Sequence, residues 1–378
     1  MNTRAGYYVT QPSGYKSYKP SKLPPNPEIV YDSEMMRLLS EADRKLGRLD
    51  GVTQILPNPE LFVAMYVKKE AVLSSQIEGT QASLSDLLGI GEYSDRKVDI
   101  VEIVNYIAAL KYGLERIQEF PLSLRLLREI HEKLLSTGRG SERSPGEFRN
   151  SQNWIGPKGC TLQNATFVPP TVQDMKESLS DLEMFFYDNS DIPLLVKISI
   201  IHAQFETIHP FLDGNGRMGR LLITFLLCQK QILSQPLLYL SYYFKKNRGE
   251  YYDSLMAVRE KGDWESWIKF FLQGVAEVSD EATNTAKDIL GLKSYYEEKL
   301  RELNNLHSSR LFEYLFEEPF INKNKVKDYL NVSYPTAGKI VDEFCEMGIL
   351  RDNTPHQQRN KAYYFVEYLK ILNRGTEL

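Results

Sequence analysis

The sequence predicts a mainly α-helical protein, and three observations carry that prediction. From Ile29 onward, apolar residues recur at three- and four-residue intervals, the spacing of one face of a helix. One stretch, Thr137–Val172, interrupts this pattern with Gly, Ser, Asn and Pro. The last stretch, about Ser308–Leu378, changes to short helices followed by two alternating segments. We therefore expect a helical bundle core with a β-hairpin flap, plus a C-terminal winged helix-turn-helix domain.

The N-terminal segment Met1–Glu28 is predicted to be an extended arm, because its five prolines remove backbone donors and disfavour helix. Helices then follow in order, and Ser123 is a predicted N-cap. The predicted helices are Ser33–Leu49, Pro59–Ser75, Val98–Phe120, Ser123–Leu135, Thr171–Asp188, Pro193–His209, Arg217–Ile232, Asn247–Lys261 and Trp264–Leu306, the last as one or two segments.

The interruption Thr137–Val172 contains two short β-like stretches, Asn153–Ile155 and Ala165–Val168, which predict a hairpin. A loop this long inside a compact domain is usually functional.

The C-terminal stretch has the order of a winged helix-turn-helix. Its predicted helices are Ser308–Phe316, Lys323–Leu330 and Pro335–Met347, its turn is Asn331–Ser333, its C-cap is Gly348, and its strands are Ile349–Arg351 and Ala362–Val366. Helix, helix, turn, helix and a two-stranded wing follow one another in that motif.

Composition and charge narrow the class of protein. The chain of 378 residues is 42% hydrophobic, 11% aromatic and 25% charged, which suits a globular protein of two or three domains. Its net charge of −4 excludes a chain-wide basic field for nucleic acid, although a local basic surface stays open.

We expect a cytoplasmic protein with no membrane span. Its three cysteines are far apart, odd in number and without zinc spacing, which fits a reducing compartment. Residues 1–27 lack the apolar core of a signal peptide. The longest apolar runs, such as Leu221–Cys228, fall well short of about 18 residues.

The segment His209–Arg220 concentrates groups that suit phosphate chemistry. Glycines in Asp213-Gly-Asn-Gly216 allow close backbone approach to a ligand, and the helix that follows offers unpaired N–H donors with partial positive charge. Arg217 and Arg220 share one helix face and can donate to phosphate oxygens. Asp213 is a hard carboxylate suited to Mg²⁺, and His209 can accept a proton near neutral pH. The alternative is an ordinary helix-loop-helix corner with solvated arginines.

This segment resembles the signature of the Fic family, His-Pro-Phe-x-Asp/Glu-Gly-Asn-Gly-Arg-x-x-Arg, at all nine fixed positions. The resemblance implies a helical enzyme that transfers a nucleotide monophosphate, usually AMP from ATP, to a Ser, Thr or Tyr hydroxyl and releases diphosphate. It implies that His209 is the base and that Asp213 holds Mg²⁺. Gly214, Asn215 and Gly216 would stabilise the α-phosphate, with Asn215 also counted as catalytic. Arg217 and Arg220 would hold the outer phosphates, and His202 is expected to be a core or supporting histidine.

A second segment, Ser74–Gly79, ends with a Glu-Gly pair. Alone it suggests a helix end with Glu78 solvated and Gly79 as C-cap. Beside the full motif it resembles the family's inhibitory pattern, Ser/Thr-x-x-x-Glu-Gly/Asn. The resemblance implies that Glu78 pairs with Arg220, takes the place of a γ-phosphate and misplaces the nucleotide for in-line attack.

Two further regions resemble parts of the family's site. Glu147–Arg149, Gln152–Gly156 and Thr166–Pro170 resemble the flap, so residues 147–170 are expected to dock a protein substrate by strand addition and Thr166, Phe167 and Val168 to line the site. Tyr242, Asn247, Tyr251 and Tyr252 lie where family members surround the adenine. A purely structural hairpin and core packing of the tyrosines are the alternatives.

The resemblance extends over most of the chain, including an N-terminal accessory segment and the C-terminal tail. We predict an N-terminal part at 1–91, a catalytic core at 92–306 and a winged-helix domain at 307–378. Self-modification and a homodimer are further expectations that the sequence leaves open.

Two other function classes stay open. One is a DNA-binding regulator with a Fic sensor, which would use residues 333–361, above all the start of the third helix and the wing from Gln357 to Lys361. Against it, His307–Leu378 holds ten basic and ten acidic residues, so a protein contact is the competing role. The other is a Fic transferase of another group, such as UMP, phosphate or phosphocholine.

Overall fold

A computed structural model of the chain describes residues 4–56, 59–88, 97–157, 159–303, 305–357 and 361–374. Helices dominate, as predicted, and the small sheets are antiparallel. The helices are α1 Ser33–Thr53, α2 Pro59–Ile77, α3 Leu84–Leu88, α4 Lys97–Glu119, α5 Leu124–Leu134, α6 Val172–Phe186, α7 Leu194–Ile208, α8 Asn215–Gln229, α9 Ser241–Lys246, α10 Arg248–Lys261, α11 Trp264–Leu303, α12 Leu306–Leu315, α13 Lys323–Leu330, α14 Tyr334–Glu346 and α15 Val366–Asn373. The strands are β1 Tyr7–Thr10, β2 Lys16–Lys19, β3 Phe320–Asn322, β4 Leu350–Asp352 and β5 Ala362–Phe365.

Helix α11, of 40 residues, is the helix against which many of the others pack. At about 1.5 Å per residue it extends about 60 Å. It packs most extensively along α1 and also contacts α7, α9, α10, α12 and α15. Trp267 and Phe271 on this helix are fully buried in an apolar cluster that also includes residues of the N-terminal helices and the tail. One continuous core therefore runs through the described part of the chain.

Helices α7 and α8 cross the centre of this core. Nearly every residue of both is buried, including the polar ones. A helix that is apolar on all sides belongs in the interior. The loop that joins α7 to α8 carries the predicted phosphate-binding segment, so that loop is held from several sides.

The N-terminal arm is a β-hairpin, where we predicted only an extended segment. Strands β1 and β2 pair antiparallel with Tyr8 opposite Tyr18. The hairpin is fixed to the core, because Arg4 Nη2 donates to both carboxylate oxygens of Glu265 and the Tyr18 hydroxyl donates to the carbonyl of Arg259. These contacts lie more than 200 residues away in sequence, which explains why local pattern did not reveal them.

The predicted flap hairpin is smaller than expected. Its two β-like stretches meet in a single antiparallel bridge between Ile155 and Phe167, with hydrogen bonds in both directions. The other described residues of the flap are loop, held by side chains such as Gln152, whose amide donates to the carbonyl of Pro169.

The C-terminal segment contains the predicted helices and the two wing strands in the predicted order. The sequence did not indicate β3, which pairs with β5 to give the sheet order β3-β5-β4, or the closing helix α15. Asn331 takes the left-handed conformation, with φ of 55°, at the turn between α13 and α14. The predicted wing residues Gln358, Arg359 and Asn360 lie outside the described residues. Among the described residues, no helix combines the length and apolarity needed to span a bilayer.

Two glycines allow the packing of the core to be tested. A Cβ at Gly113 on α4 would lie 2.3 Å from the ring of buried Phe225, whereas a Cβ at Gly47 on α1 would meet nothing within 4 Å. We expect Gly113→Ala to lower the free energy of unfolding by about 1–3 kcal/mol through overpacking. Gly47→Ala, the matched control, should raise it by about 0.5–1 kcal/mol because alanine favours helix. Urea denaturation measures both, and equal effects of the two changes would contradict this packing.

Candidate active site

The site is built on the turn between α7 and α8. Helix α7 ends at Ile208, its C-cap His209 has a φ of 50°, and Gly214 has a φ of 77° immediately before α8 begins. The carbonyl of His209 accepts hydrogen bonds from Arg149 Nε at 3.0 Å and Asn153 Nδ2 at 3.1 Å. Two flap side chains therefore fix the backbone of the predicted base in a conformation that non-glycine residues seldom adopt.

Asn215 shapes the loop with its side chain. Its Oδ1 accepts from the N–H of Phe211 at 2.8 Å, and its Nδ2 donates to the carbonyl of Phe211 at 2.9 Å. The side-chain amide is occupied by this pair of bonds and is buried. The structure thus leaves the backbone N–H at the start of α8, rather than the side chain, to meet a phosphate.

His131, which the sequence did not single out, supports the loop from α5. Its Nδ1 accepts from the N–H of Gly146, so its Nε2 carries the proton and donates to the carbonyl of Asp213 at 3.0 Å. Its ring stacks on Phe211 with centroids 3.7 Å apart. Burial lowers the pKa of His131 to about 4, so the ring is neutral and this tautomer is maintained.

The imidazole of His209 is held in its neutral form. Burial lowers its pKa to about 3, and the positive charges of Arg259 and Arg149 act in the same direction. Its Nδ1 is buried and has no hydrogen-bond partner among the described residues. The ring is therefore neutral at pH 7 and can take up a proton from a nearby hydroxyl.

Asp213 and Arg217 form the second part of the site. Asp213 Oδ1 accepts from the N–H of Gly214 at 2.6 Å and lies 3.4 Å from Arg217 Nη2. Arg217 is held on its other side by Glu102 of α4, 3.6 Å away. Its Nε and Nη1 are buried and make no hydrogen bond within the described part of the chain, although Nη1 is the atom that faces Glu102 at 3.6 Å. A bound phosphate would supply hydrogen-bond acceptors.

Asp213 fits the expected Mg²⁺ as a single protein ligand. Its side chain is 30% exposed, which leaves carboxylate oxygen open to the loop surface. Among the described residues, no cluster of three or more His, Cys, Asp or Glu side chains could hold a metal alone. Mg²⁺ is typically held by one or two carboxylates together with phosphate oxygens and water, so one carboxylate is compatible with this ion.

Arg220 of α8 is paired with Glu78, which directly follows the end of α2. Arg220 Nη2 lies 2.8 Å from Glu78 Oε1, and Arg220 also donates to the hydroxyl and carbonyl of Ser74 at 2.8 and 3.0 Å. Only 2% of the Arg220 side chain is exposed, against 34% for Glu78. A Cβ at Gly216 would lie 2.2 Å from Glu78 Oε1, so the carboxylate sits directly against the first turn of α8.

This position explains the charge state of Glu78. Burial favours its neutral form, but the adjacent Arg220 guanidinium outweighs burial, and the pKa of Glu78 is below its usual value. A carboxylate at a helix N-terminus occupies a natural anion site. Glu78 therefore stands where an anionic group of a ligand would be stabilised.

Glu206, on α7 one turn before His209, was not identified from the sequence. Its carboxyl is buried, and its Oε1 has no hydrogen-bond partner among the described residues. It lies against Gly219, where a Cβ would be 2.4 Å from Oε1. Burial raises the pKa of Glu206 to about 7, although Arg220 opposes that rise. A single Glu among apolar helix residues gives no indication in the sequence that it is buried without a partner.

The histidine expected to play a core or supporting role is fully buried. His202 Nδ1 donates to the carbonyl of Gly219, and its Nε2 accepts from the Tyr251 hydroxyl, both at 2.9 Å. Tyr251 is only 1% exposed and stacks on Phe244. Its ring and hydroxyl are both used in the core, and the adenine contact expected of Tyr251 stays a prediction.

The other residues that were expected to surround the adenine lie in three separate surroundings. Tyr252 is 40% exposed; burial of the rest of its side chain raises its pKa, and the charge of Glu78 acts in the same direction. Asn247 caps α10 and donates to the carbonyl of Tyr243. Tyr242 lines a different surface hollow with Glu277 and Asp280 of α11.

The three flap residues expected to line the site differ in their exposure to solvent. Phe167 and Val168 are buried, and the Phe167 ring lies under the Arg259 guanidinium, 4.1 Å from its centroid. Thr166 alone of the three is exposed. Arg149 joins the flap to the turn, because its Nη2 donates to the carbonyl of Pro170 while its Nε holds His209.

Comparison with known proteins gives two family matches along the chain. Residues 36–115 match the Fic/DOC family N-terminal model, and residues 121–227 match the Fic/DOC family model. A probable protein adenylyltransferase of Aquifex aeolicus is 26% identical over 207 residues, 53% of this chain and 58% of that protein. Protein adenylyltransferase Fic of Aedes aegypti is 32% identical over 176 residues, 45% of this chain and 31% of that protein. The chain thus spans less than two thirds of either relative's own length.

The fold is shared with solved structures. A Fic family protein of Desulfovibrio desulfuricans superposes with a TM-score of 0.58 at 19% identity, over 89% of this chain and 97% of that one. A Fic domain containing signaling protein of Bacteroides thetaiotaomicron gives a TM-score of 0.50 at 19% identity, over 68% and 97%. The likeness establishes the architecture.

The raised pKa of Glu206 predicts a pH-dependent cost to stability. Its folded pKa of about 7 lies above the ordinary 4.5, so the folded state binds the proton more tightly. The free energy of unfolding should then fall as pH rises from about 4.5 to 7. We expect Glu206→Gln to stabilise the protein at pH 8 by on the order of 2 kcal/mol, and far less at pH 5.

Urea denaturation at the two pH values measures this difference, with Glu115→Gln on the exposed face of α4 as the control. The same effect of Glu206→Gln at pH 5 and pH 8 would show that the carboxyl does not change its charge between them and would contradict a folded pKa of about 7.

Proposed function

The chain belongs to the Fic/DOC family, and from that membership we propose that it is a protein adenylyltransferase, transferring AMP from ATP to a Ser, Thr or Tyr hydroxyl of a protein. The observation that carries the proposal is the convergence at one turn of a neutral histidine, a helix N-terminus and buried arginine N–H groups that make no hydrogen bond within the described part of the chain. Two relatives that bear the name protein adenylyltransferase support it.

The proposed reaction needs positioning and charge stabilisation. The hydroxyl oxygen of the target forms a bond to the α-phosphorus while the bond from that phosphorus to diphosphate breaks, and diphosphate leaves with its electron pair. His209, neutral and partly exposed, takes the proton from the hydroxyl. The backbone N–H groups at the start of α8 stabilise the phosphoryl oxygens.

Arg217 and Arg220 would hold the outer phosphates. Arg217 is pre-positioned between Asp213 and Glu102, and its buried Nε makes no hydrogen bond in the described structure. Asp213 would hold Mg²⁺, which neutralises phosphate charge when bound. Residues 92–306 would be the catalytic core, between an N-terminal part at 1–91 and a tail at 307–378.

We propose that Glu78 inhibits this reaction. Its carboxylate is within 2.8 Å of Arg220 Nη2 and against Gly216, where the γ-phosphate would otherwise find its cation. ATP could bind only with its phosphates displaced, so the α-phosphorus would be misplaced for in-line attack. Ser74 adds two neutral acceptors that keep Arg220 turned toward α2.

Replacing Glu78 should therefore raise activity. A partly buried, charge-assisted pair of this kind is worth about 1–3 kcal/mol, which corresponds to about 5- to 150-fold in population. Glu78→Gly should incorporate label from α-labelled ATP into itself or a lysate target that much faster than wild type, and the isosteric Glu78→Gln should also be activated. Label from γ-labelled ATP should not be incorporated.

Two variants serve as controls for this measurement. His209→Ala in the Glu78→Gly background should lose on the order of 10²–10⁴ in transfer rate while still binding ATP. Arg220→Ala should not be activated, because it removes the phosphate contact together with the inhibitory pair. Equal incorporation by wild type and Glu78→Gly would reject inhibition by Glu78 and leave the transferase proposal standing.

A further inference from the structure

A buried carboxyl with no part in the proposed reaction lies on α2, two turns before Glu78. Glu70 is 2% exposed, and the groups that hydrogen-bond to it are hydroxyls rather than cations. Ser74 and Glu78 follow it at intervals of four residues, so Glu70 and Ser74 lie on one face of α2. Burying an ionisable group costs free energy unless it is hydrogen-bonded, so the groups that hold Glu70 indicate its role.

Two hydroxyl groups from other helices hold this carboxyl. Glu70 Oε1 accepts from the Tyr106 hydroxyl of α4 at 2.9 Å and from the Ser241 hydroxyl at the start of α9. Its Oε2 is buried and has no hydrogen-bond partner among the described residues. Burial raises the pKa of Glu70 to about 7, while the Ser241 hydrogen bond and the positive charge of Arg220 oppose the rise. Glu70 therefore lies within the electrostatic influence of Arg220 without touching it.

The Tyr106 hydroxyl links Glu70 to Ser74. Burial raises the pKa of Tyr106, the adjacent Glu70 acts in the same direction, and a hydrogen bond from Ser74 opposes the rise. Because the proton of Tyr106 is donated to Glu70, the Tyr106 oxygen is the acceptor for the Ser74 hydroxyl. The Ser74 oxygen in turn accepts from Arg220 Nε at 2.8 Å. We call Ser74, Tyr106 and Glu70 the Arg220 relay.

The two ends of the Arg220 relay fix its direction. A guanidinium can only donate, and a carboxylate oxygen without a proton can only accept, whereas a hydroxyl can do either. With Tyr106 and Glu70 in place, the Ser74 proton is directed away from Arg220 and its lone pair toward Nε. Arg220 Nη2 is then left to donate to the Ser74 carbonyl and to Glu78. The relay thus favours the orientation in which the guanidinium faces α2.

We propose that Glu70 and Tyr106 are positioning residues of the inhibited state, which orient the Ser74 hydroxyl so that Arg220 stays beside Glu78 and away from the outer phosphates of a nucleotide. The proposal rests on the transferase function and the inhibition by Glu78 proposed above. It extends the inhibitory contact from the end of α2 into α4, through groups that touch neither the nucleotide nor Glu78.

The test compares two buried tyrosines in the full chain, with Mg²⁺ and α-labelled ATP. Tyr106→Phe breaks the relay and should raise incorporation of label about three- to tenfold, as expected for the loss of one hydrogen bond. Tyr66→Phe is the matched control, because the Tyr66 hydroxyl joins α2 to Glu281 of α11 outside the relay, and it should leave incorporation unchanged. In a Glu78→Gly background neither change should raise incorporation, because Arg220 is already released.

Glu70 supplies a second, independent variant. Glu70→Gln keeps an oxygen that can accept from Tyr106 and should remain inhibited, whereas Glu70→Leu removes the acceptor and should be activated like Tyr106→Phe. The double variant of Tyr106→Phe and Glu70→Leu should gain no more than the larger single effect, because both changes break one relay. The ratio of ATP to ADP affinity, measured by isothermal titration, should rise about threefold in Tyr106→Phe, a shift that a general loss of stability would not produce.

The outcomes separate this proposal from the two on which it rests. Wild-type incorporation by Tyr106→Phe beside an activated Glu78→Gly would overturn the relay, and so would equal activation by Tyr66→Phe, which indicates a general loosening of α2. Equal incorporation by wild type and Glu78→Gly would reject inhibition by Glu78. Absence of label in every protein would reject the transferase function, and an unchanged ratio of ATP to ADP affinity in Tyr106→Phe would then still overturn the relay.

Discussion

The burial of Arg220 is the constraint on which the site depends. A guanidinium with 2% of its side chain exposed must be paired, since removing the partner of a buried charge is strongly destabilising. Two kinds of anion can meet it in this position. One is Glu78, which the chain provides itself, and the other is a phosphate delivered to the start of α8. In our account the same cation therefore serves both the inhibited and the active state.

The other contacts around the α7–α8 turn fix the position at which Glu78 and a phosphate compete. His131 and Asn215 fix the turn through backbone groups, and Arg149 fixes His209 to the flap. Because these bonds go mostly to backbone, the turn holds its shape without using the side chains that would act on a ligand. Glu206 adds a buried carboxyl beside Arg220 whose negative charge is disfavoured, which leaves Glu78 as the ionised partner.

The parts of the fold and of the site that depend on neighbouring residues could be predicted from the sequence. The N-cap Ser123, the periodicity of the long helices and the motif at the α7–α8 turn are patterns within a few residues, and the structure contains those helices at nearly the predicted bounds. The Glu78–Arg220 contact was expected only through resemblance to a family, because 142 residues separate its partners.

What the sequence did not reveal depends on distant parts of the chain. The short helices α3, α9 and α15 have too few turns for a periodic signal. The arm forms a hairpin through contacts with α10, α11 and the flap, and Tyr251 is buried because α7 and α11 enclose it. Arg149, His131 and Glu206 acquire their roles from tertiary placement, so they look like ordinary polar residues in the sequence.

The central claim is that Glu78 and the γ-phosphate compete for Arg220, and the affinities for ATP and ADP test it most directly. Isothermal titration with Mg²⁺ present would give both dissociation constants for wild type and Glu78→Gly. Our account predicts that wild type binds ATP no more tightly than ADP, and that Glu78→Gly binds ATP tighter than ADP by about tenfold or more, since the extra phosphate gains a charge-assisted contact. The same ratio of ATP to ADP affinity in the two proteins would contradict it.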